Sequence, residues 1–351
     1  METVPIPKTM KAAVLHGAGD LRVEEVPVPE LGPDDVLVRV RACGVCTSDV
    51  HYFLHGRIGK YVVEEPMIVG HELAGDVVAI GPAVTSLGLG ARVALEPGVT
   101  CGRCRMCKAG RYNLCPEVSF YATPPVQGAM SEYAVIRSDF AHPLPDPASY
   151  EHGALCEPIS VGIHCCNLTD VRPGDTVVIL GAGPIGLTAI VAARQRGAGQ
   201  VIVSDVYPTR LEVARKLGAL SVDVRDQDLR AVVMEHTGGE GADALFDTSG
   251  VRSVIEAAPE LMRMGGAIAV VGLPADDSVT YRMLQVVHKE LSIHGVFRYA
   301  NTYPAAVALV ASGEYPVDLV ITDHFPIDDA VAAFHTAVEA KERAIKVMVT
   351  F

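Results

Sequence analysis

Short apolar runs and turn residues alternate at close intervals through the first 150 residues. Val36 to Val40, Ala74 to Ile80 and Arg92 to Leu95 have the length and composition of strands, with glycine and proline punctuating the chain between them. An irregular, mostly-β body is predicted. The run Pro143-Leu144-Pro145-Asp146-Pro147 can continue neither a helix nor a central strand, so the chain is expected at the surface there. From about Asp175 the pattern changes. Thr176 to Leu180 is a continuous apolar strand, Leu187 to Arg196 a helical run and Val201 to Ser204 a second strand. Strand-like Asp243 to Asp247, Ala267 to Leu273 and Leu291 to Val296 follow, then helix-like Pro304 to Ser312 and Ile327 to Lys341. Strands alternating with helix-length segments indicate βαβ units and a parallel sheet, hence an α/β chain.

Composition narrows the class. A chain of 351 residues suggests about two domains, and 49% apolar residues suffice for two cores. Lys plus Arg number 29 against 42 for Asp plus Glu, a formal charge of −13, with no basic block to form a nucleic-acid footprint. The opening METVPIPKTMKAAVLHG lacks the sustained apolar core of a signal peptide, and no run of about twenty apolar residues occurs. No membrane and no nucleic acid are expected as partners.

Nine cysteines are too few, and odd in number, for the disulfide framework of a small secreted domain, which points to thiols in a reducing cytoplasm. Four of them, Cys101, Cys104, Cys107 and Cys115, fall within fifteen residues as C-x2-C-x2-C-x7-C. That spacing lets four thiolates converge on one tetrahedral zinc, and a site closed by four sulfurs has no position for substrate. This zinc is expected to be structural. Cys43, Cys165 and Cys166 are expected to be packed thiols.

The strand Thr176 to Leu180 runs straight into Gly181-Ala182-Gly183-Pro184-Ile185-Gly186, a G-x-G-x-x-G turn between a strand and a helix. Gly181 would allow the tight turn, Gly183 the approach of a pyrophosphate and Gly186 close helix packing, with the phosphates on the helix N-terminus. Asp205 ends the next strand, nineteen residues after Gly186, where an acid is expected on the adenosine ribose. A carboxylate there repels a 2′-phosphate and so favours NAD over NADP, although Arg210 nearby could compensate and a helix-capping Asp is the plain alternative. The later strands would complete a six-stranded dinucleotide domain over about 161–297.

A third constellation lies in Cys43-Gly44-Val45-Cys46-Thr47-Ser48-Asp49, Gly70-His71-Glu72 and Glu157-Pro158, three stretches read as loop-like. If they converge, thiol, imidazole and carboxylate would form an open zinc site with a position left for water or substrate. Taken singly, each residue has an ordinary reading as a solvated or hydrogen-bonded side chain.

GVCTSD with Cys46, GHE with His71 and Glu72, the cysteine loop and GAGPIG together resemble the zinc-containing medium-chain alcohol dehydrogenase superfamily along essentially the whole chain. SDVHY at 48–52, HGRIGKY at 55–61, GRYNLCP at 110–116, YATPPVQG at 121–128, CEPISVGIH at 156–164 and GVFRYANTYP at 295–304 are most similar to its polyol branch, the sorbitol (L-iditol 2-) and xylitol dehydrogenases. Animal members of that branch lack the four-cysteine loop, so the zinc-loop-bearing members are the better match.

The resemblance implies a GroES-like, mostly-β catalytic domain over 1–160, with 298–351 returning to it. A Rossmann domain with a doubly wound parallel sheet would be inserted over 161–297, and a homotetramer is implied. It implies one catalytic and one structural zinc per chain. Cys46, His71 and Glu72 would bind the catalytic zinc, with Glu157 either a ligand or bonded to zinc-bound water, and Cys156 keeping a Cys/Glu ambiguity open. One thiolate and one carboxylate already balance the two charges of zinc, which favours Glu157 acting through water or exchanging with Glu72. Tyr52, Arg298 and Tyr299 would lie near the substrate hydroxyls and cofactor, and Ser48 and His51 would relay the proton, unless Ser48 merely caps a helix. The implied activity is hydride transfer from a secondary hydroxyl at C2 of a polyol such as sorbitol or xylitol to NAD, giving the ketose. Other hydroxy compounds remain alternatives: L-threonine, L-idonate, galactitol or a vicinal diol. A non-catalytic nucleotide-binding or structural protein is an alternative of another class.

Overall fold

Antiparallel pairing dominates the amino-terminal half. In the computed structural model, which describes residues 6–274, 278–314 and 316–351, Thr9–Gly17 pairs with Asp20–Pro27 and Met67–Ile68. The first five residues lie outside the described ones, so the reading of the leader rests on sequence alone. A seven-stranded sheet follows the order Ala141–Pro143, Arg92–Leu95, Glu72–Ile80, Asp35–Gly44, Lys346–Thr350, Ile321–Pro326, with Tyr133–Arg137 also paired to Asp35–Gly44. Its inward residues Val36, Val38, Val40, Val93 and Leu95 are fully buried and join Phe334, Val347 and Val349 in one core. The carboxy-terminal strand enters this sheet antiparallel to Asp35–Gly44, with Val349 opposite Cys43.

Two compact units emerge. Counting only the described residues, the first comprises those of 6–157, 303–314 and 321–351, and the second those of 158–274, 278–302 and 316–320. The second unit holds a sheet of six parallel strands ordered Leu220–Asp223, Gln200–Asp205, Thr176–Leu180, Ala242–Asp247, Met262–Val270, Ser292–Gly295. Val178, Leu180, Ile202, Val222, Leu245 and Ile268 form its core. Parallel strands covered on both faces read as unbroken apolar runs, which is why these strands could be read so directly. The strand order reverses between Thr176–Leu180 and Ala242–Asp247, where an open α/β sheet forms its ligand crevice.

Several elements differ from expectation. The helix after the glycine turn starts at Pro184 rather than Leu187, with Pro at its first position, where the missing N–H has no partner to lose. Met262–Val270 is a longer strand that includes Gly265 and Gly266, and it ends before Val271, whose N–H goes to Asp247 O. Ile327 to Lys341 divides into a 3₁₀ turn, Ile327–Asp329, and a helix, Ala330–Glu339. Glu157 and Pro158 do not lie in a loop. They sit inside the helix Tyr150–Leu168, which the proline concealed and whose buried Leu155, Cys156, Ile159, Cys165 and Cys166 leave no polar face for periodicity to detect.

Candidate functional site

The cysteine loop brings its four sulfurs together. Cys101 Sγ lies 4.0 Å from Cys107 Sγ, Cys104 Sγ 3.5 Å from Cys107 Sγ and Cys115 Sγ 3.5 Å from Cys101 Sγ, distances too long for disulfides. Four sulfurs at about 2.3 Å from one tetrahedral ion stand roughly 3.8 Å apart, so the set fits zinc. Backbone N–H groups of Cys104 and Cys107 point at Cys101 Sγ and Cys104 Sγ, each at 3.4 Å. The N–H groups of Arg103 and Cys104 hold the Cys101 thiol down to about 7, whereas burial pushes the neighbouring Cys115 thiol up to about 11. Tyr112 Oη anchors the loop by donating to buried Glu96 at 2.7 Å, and His142 Nε2 lies 2.9 Å from the other Glu96 oxygen.

A second cluster is built from two sequence segments. Cys46, His71 and Glu72 each place one ligand atom within 4.8 Å of the others. Cys46 is the N-cap of the helix Thr47–His55, and its N–H donates to Asp49 Oδ2 at 3.2 Å. Ser48 is therefore not the cap; its hydroxyl donates to Cys46 Sγ at 3.3 Å. Fully buried Asp49 reaches across with its other oxygen to accept Gly70 N at 3.0 Å, and that oxygen lies 3.6 Å from His71 Nδ1. Gly70 has φ +88°, and a Cβ there would press on Met130 and Cys43, so glycine sets the bend that presents His71.

Glu72 is gripped from behind. Lys346 Nζ donates to both of its carboxylate oxygens at 2.8 Å and to Val45 O at 3.0 Å. Glycine at position 44 makes room, because a Cβ there would collide with Glu72 Oε2. Burial would lower the pKa of Lys346, but the charges of Glu72, Cys46 and Glu157 outweigh it and raise it. Burial likewise opposes protonation of His71, yet Asp49 and Cys46 lift its pKa well above the ordinary value. The pocket thus favours a cation, and its soft sulfur, imidazole nitrogen and carboxylate oxygen match three zinc ligands with one position left open. Glu157 is buried and outside this cluster, although its charge is felt at Lys346. Tyr52 is buried on the Thr47–His55 helix, where half-buried His51 has its pKa lowered by burial and by His55 and Lys341. Cys156 is a buried thiol whose pKa burial raises, as it does for Cys43, Cys165 and Cys166.

In the second unit, Gly181 takes φ +98° and Gly183 is the N-cap of Pro184–Gln195. A Cβ at Gly186 would collide with Gly181 O. Above Gly183 the space is open, with Arg210 Nη1 the nearest group at 3.9 Å from a Cβ built there, so a pyrophosphate can approach. Asp205 accepts Ala182 N at 2.7 Å on Oδ2, and Val206 N at 2.7 Å and Tyr207 N at 2.9 Å on Oδ1. It is not a helix cap; Tyr207 is the N-cap of Pro208–Lys216, and Arg210 lies 4.8 Å over the Tyr207 ring. Arg298 has φ +57° with its guanidinium 4.7 Å over the Phe297 ring, and Tyr299 is buried.

Residues 32–146 match the alcohol dehydrogenase GroES-like domain family and residues 184–312 the zinc-binding dehydrogenase family. A sorbitol dehydrogenase of Bacillus subtilis (strain 168) is 45% identical over 348 residues, 99% of each chain. The chain belongs to the zinc-binding dehydrogenases. A putative D-xylulose reductase of Rhizobium meliloti is 41% identical to this dehydrogenase, covering 97% of it and 98% of the relative. Among solved structures, 2R,3R-butanediol dehydrogenase from Bacillus subtilis superposes with a TM-score of 0.89 at 31% identity, covering 97% of this chain and 99% of that one. For this dehydrogenase the sequence reading missed Lys346. A lysine inside the apolar strand Lys346–Thr350 is the signal that could have flagged it, since a buried lysine needs a partner.

Proposed function

We propose that this dehydrogenase oxidises a secondary hydroxyl at C2 of a polyol of the sorbitol or xylitol type, giving the ketose and passing the hydride to NAD. The observation that carries the reading is the Cys46, His71, Glu72 cluster, in a chain 45% identical along 99% of its length to a protein named sorbitol dehydrogenase. When bound, zinc supplies Lewis acidity to the substrate hydroxyl and NAD accepts the hydride.

The chain's own residues supply the rest. Cys46 and His71 would hold the metal, oriented by Asp49; Glu72 would share it while Lys346 balances its charge; and Glu157 would act through water or in exchange with Glu72. The hydroxyl proton would leave by Ser48 Oγ and His51, whose lowered pKa keeps a neutral imidazole available to accept it. Tyr52, Arg298 and Tyr299 are assigned to the substrate hydroxyls and cofactor. Arg298 is held in left-handed backbone, a strain that clusters at ligand clamps. Gly181, Gly183, Pro184, Ile185 and Gly186 would carry the pyrophosphate, and Asp205 the ribose, with a carboxylate selecting NAD over NADP.

A homotetramer in the cytosol completes the reading. Exposed Met283, Leu284 and Val287 on the helix Met283–Lys289 and exposed Ile293 on the edge strand Ser292–Gly295 support self-association, and no described helix is long and apolar enough to cross a membrane.

Initial rates of NAD reduction by the zinc-loaded protein, measured across sorbitol, xylitol, L-arabinitol, galactitol, L-idonate, L-threonine and 2,3-butanediol, test the substrate class. Preference for sorbitol or xylitol is expected. Preference for threonine or the butanediol would overturn the substrate while leaving the metal reading intact, and turnover of none would favour a non-catalytic protein.

A further inference from the structure

The turn Thr248-Ser249-Gly250, which follows the strand Ala242–Asp247, has no role in the chemistry above. It lies where the parallel sheet reverses its strand order, next to the end of Thr176–Leu180. Its contacts run to the glycine-rich turn. Thr248 N donates to Leu180 O at 2.9 Å, and Thr248 Oγ1 lies 3.0 Å from Leu180 O and 2.9 Å from Gly181 O. A hydroxyl has one proton to give, so the two carbonyls share it, and Leu180 O keeps the Thr248 N–H in addition.

Gly181 O and Ala182 N belong to one peptide plane. Thr248 donates to the carbonyl of that plane while Asp205 Oδ2 accepts from its N–H at 2.7 Å, so a single peptide is held at both ends from opposite neighbours in the sheet. Gly181 takes φ +98°, so without those grips the plane that follows it would have the latitude a glycine gives. The packing is close: a Cβ at Gly186 would collide with Gly181 O and come within 2.9 Å of Thr248 Oγ1. Thr248 is itself held in place through fully buried Asp247. The Asp247 carboxylate accepts Ser249 Oγ at 2.7 Å and Ser249 N at 3.2 Å, and its carbonyl accepts Val271 N at 2.9 Å and Gly272 N at 3.1 Å.

We propose that Thr248 is a positioning residue for the cofactor: opposite Asp205, it presets the Gly181–Ala182 peptide so that the turn receives a pyrophosphate without reorganising. The inference rests on the reading of this turn as the NAD site. When Asp205 shares its carboxylate with the ribose, the Thr248 hydroxyl still holds the plane. Preset groups lower the ordering cost of binding, so the effect belongs to affinity rather than to chemistry.

The test compares the zinc-loaded wild type with Thr248→Val, which keeps the shape and drops the hydroxyl, and Thr248→Ser, which restores it. Calorimetry with ADP-ribose and fluorescence titration with NADH should both show Kd rising about five- to ten-fold in the valine variant, the size of one hydrogen bond. The serine variant should bind as wild type does, and kcat at saturating NAD should stay within about two-fold in both. Thr248→Ala, which cannot overpack, should show the same rise and serves if valine disturbs folding. Unchanged Kd values in Thr248→Val and Thr248→Ala, or a lower urea midpoint with no change in either Kd, would overturn the inference. A wild type that bound neither ligand would overturn the cofactor reading beneath it.

Discussion

Lys346 Nζ stands 2.8 Å from both carboxylate oxygens of Glu72, and the two side chains are only 2% and 1% exposed. The pair joins positions 274 residues apart and brings the carboxy-terminal strand to the candidate metal site. Removing one partner of a buried ion pair leaves the other charge uncompensated, at a cost of roughly 3–5 kcal/mol. Lys346→Met should therefore lose about that much stability when zinc-free and less when zinc-loaded, because the metal then balances Glu72. Urea unfolding with and without zinc measures both. Equal stability of the variant and the wild type without zinc would contradict the pairing.

Asp49 ties Cys46 N to Gly70 N and lies beside His71. Asn can accept at only one of its two positions and carries no charge. Asp49→Asn should weaken zinc at the Cys46 site by roughly ten- to a hundred-fold in a chelator competition, while the four-cysteine zinc stays bound. Loss of both metals together would show that Asp49 supports the whole unit rather than the one site.

Cys104→Ser opens the closed sulfur set. Zinc content should fall from two per chain to one, and the thermal midpoint should drop, with turnover per folded chain retained at low temperature. A variant that kept two zincs and its midpoint would remove the structural role.

Asp205→Ala removes the acid from the end of Gln200–Asp205 and one grip on Ala182 N. KM for NAD should rise at least about ten-fold, the size of a hydrogen bond to a charged group, and the preference over NADP should narrow. Zinc content should not move. NAD kinetics unchanged from wild type would take Asp205 out of the cofactor site.

Much of the fold was legible because local chemistry repeats along the chain. The strands Thr176–Leu180 and Gln200–Asp205 are buried on both faces and read as unbroken apolar runs, and Gly181 at φ +98° in the turn between them takes a conformation that few other residues do. The cysteine spacing spoke for itself, since four ligands within one loop need no tertiary information to meet. What was hidden depends on long-range packing. The helix Tyr150–Leu168 has no polar stripe and contains Pro158, so Glu157 was expected in a loop. Lys346 resembles any strand lysine until Glu72 is seen against it. Thr248 carries no signal of its own in the sequence, because its partner is a carbonyl 67 residues away.

Cys46 is proposed to hold a catalytic zinc, distinct from the four-cysteine zinc, that serves polyol oxidation. The direct measurement is zinc content together with sorbitol-dependent NAD reduction for Cys46→Ser beside the wild type. One zinc per chain and no turnover are expected in the variant, against two zincs and turnover in the wild type. A Cys46→Ser protein that reduced NAD at the wild-type rate would contradict this role.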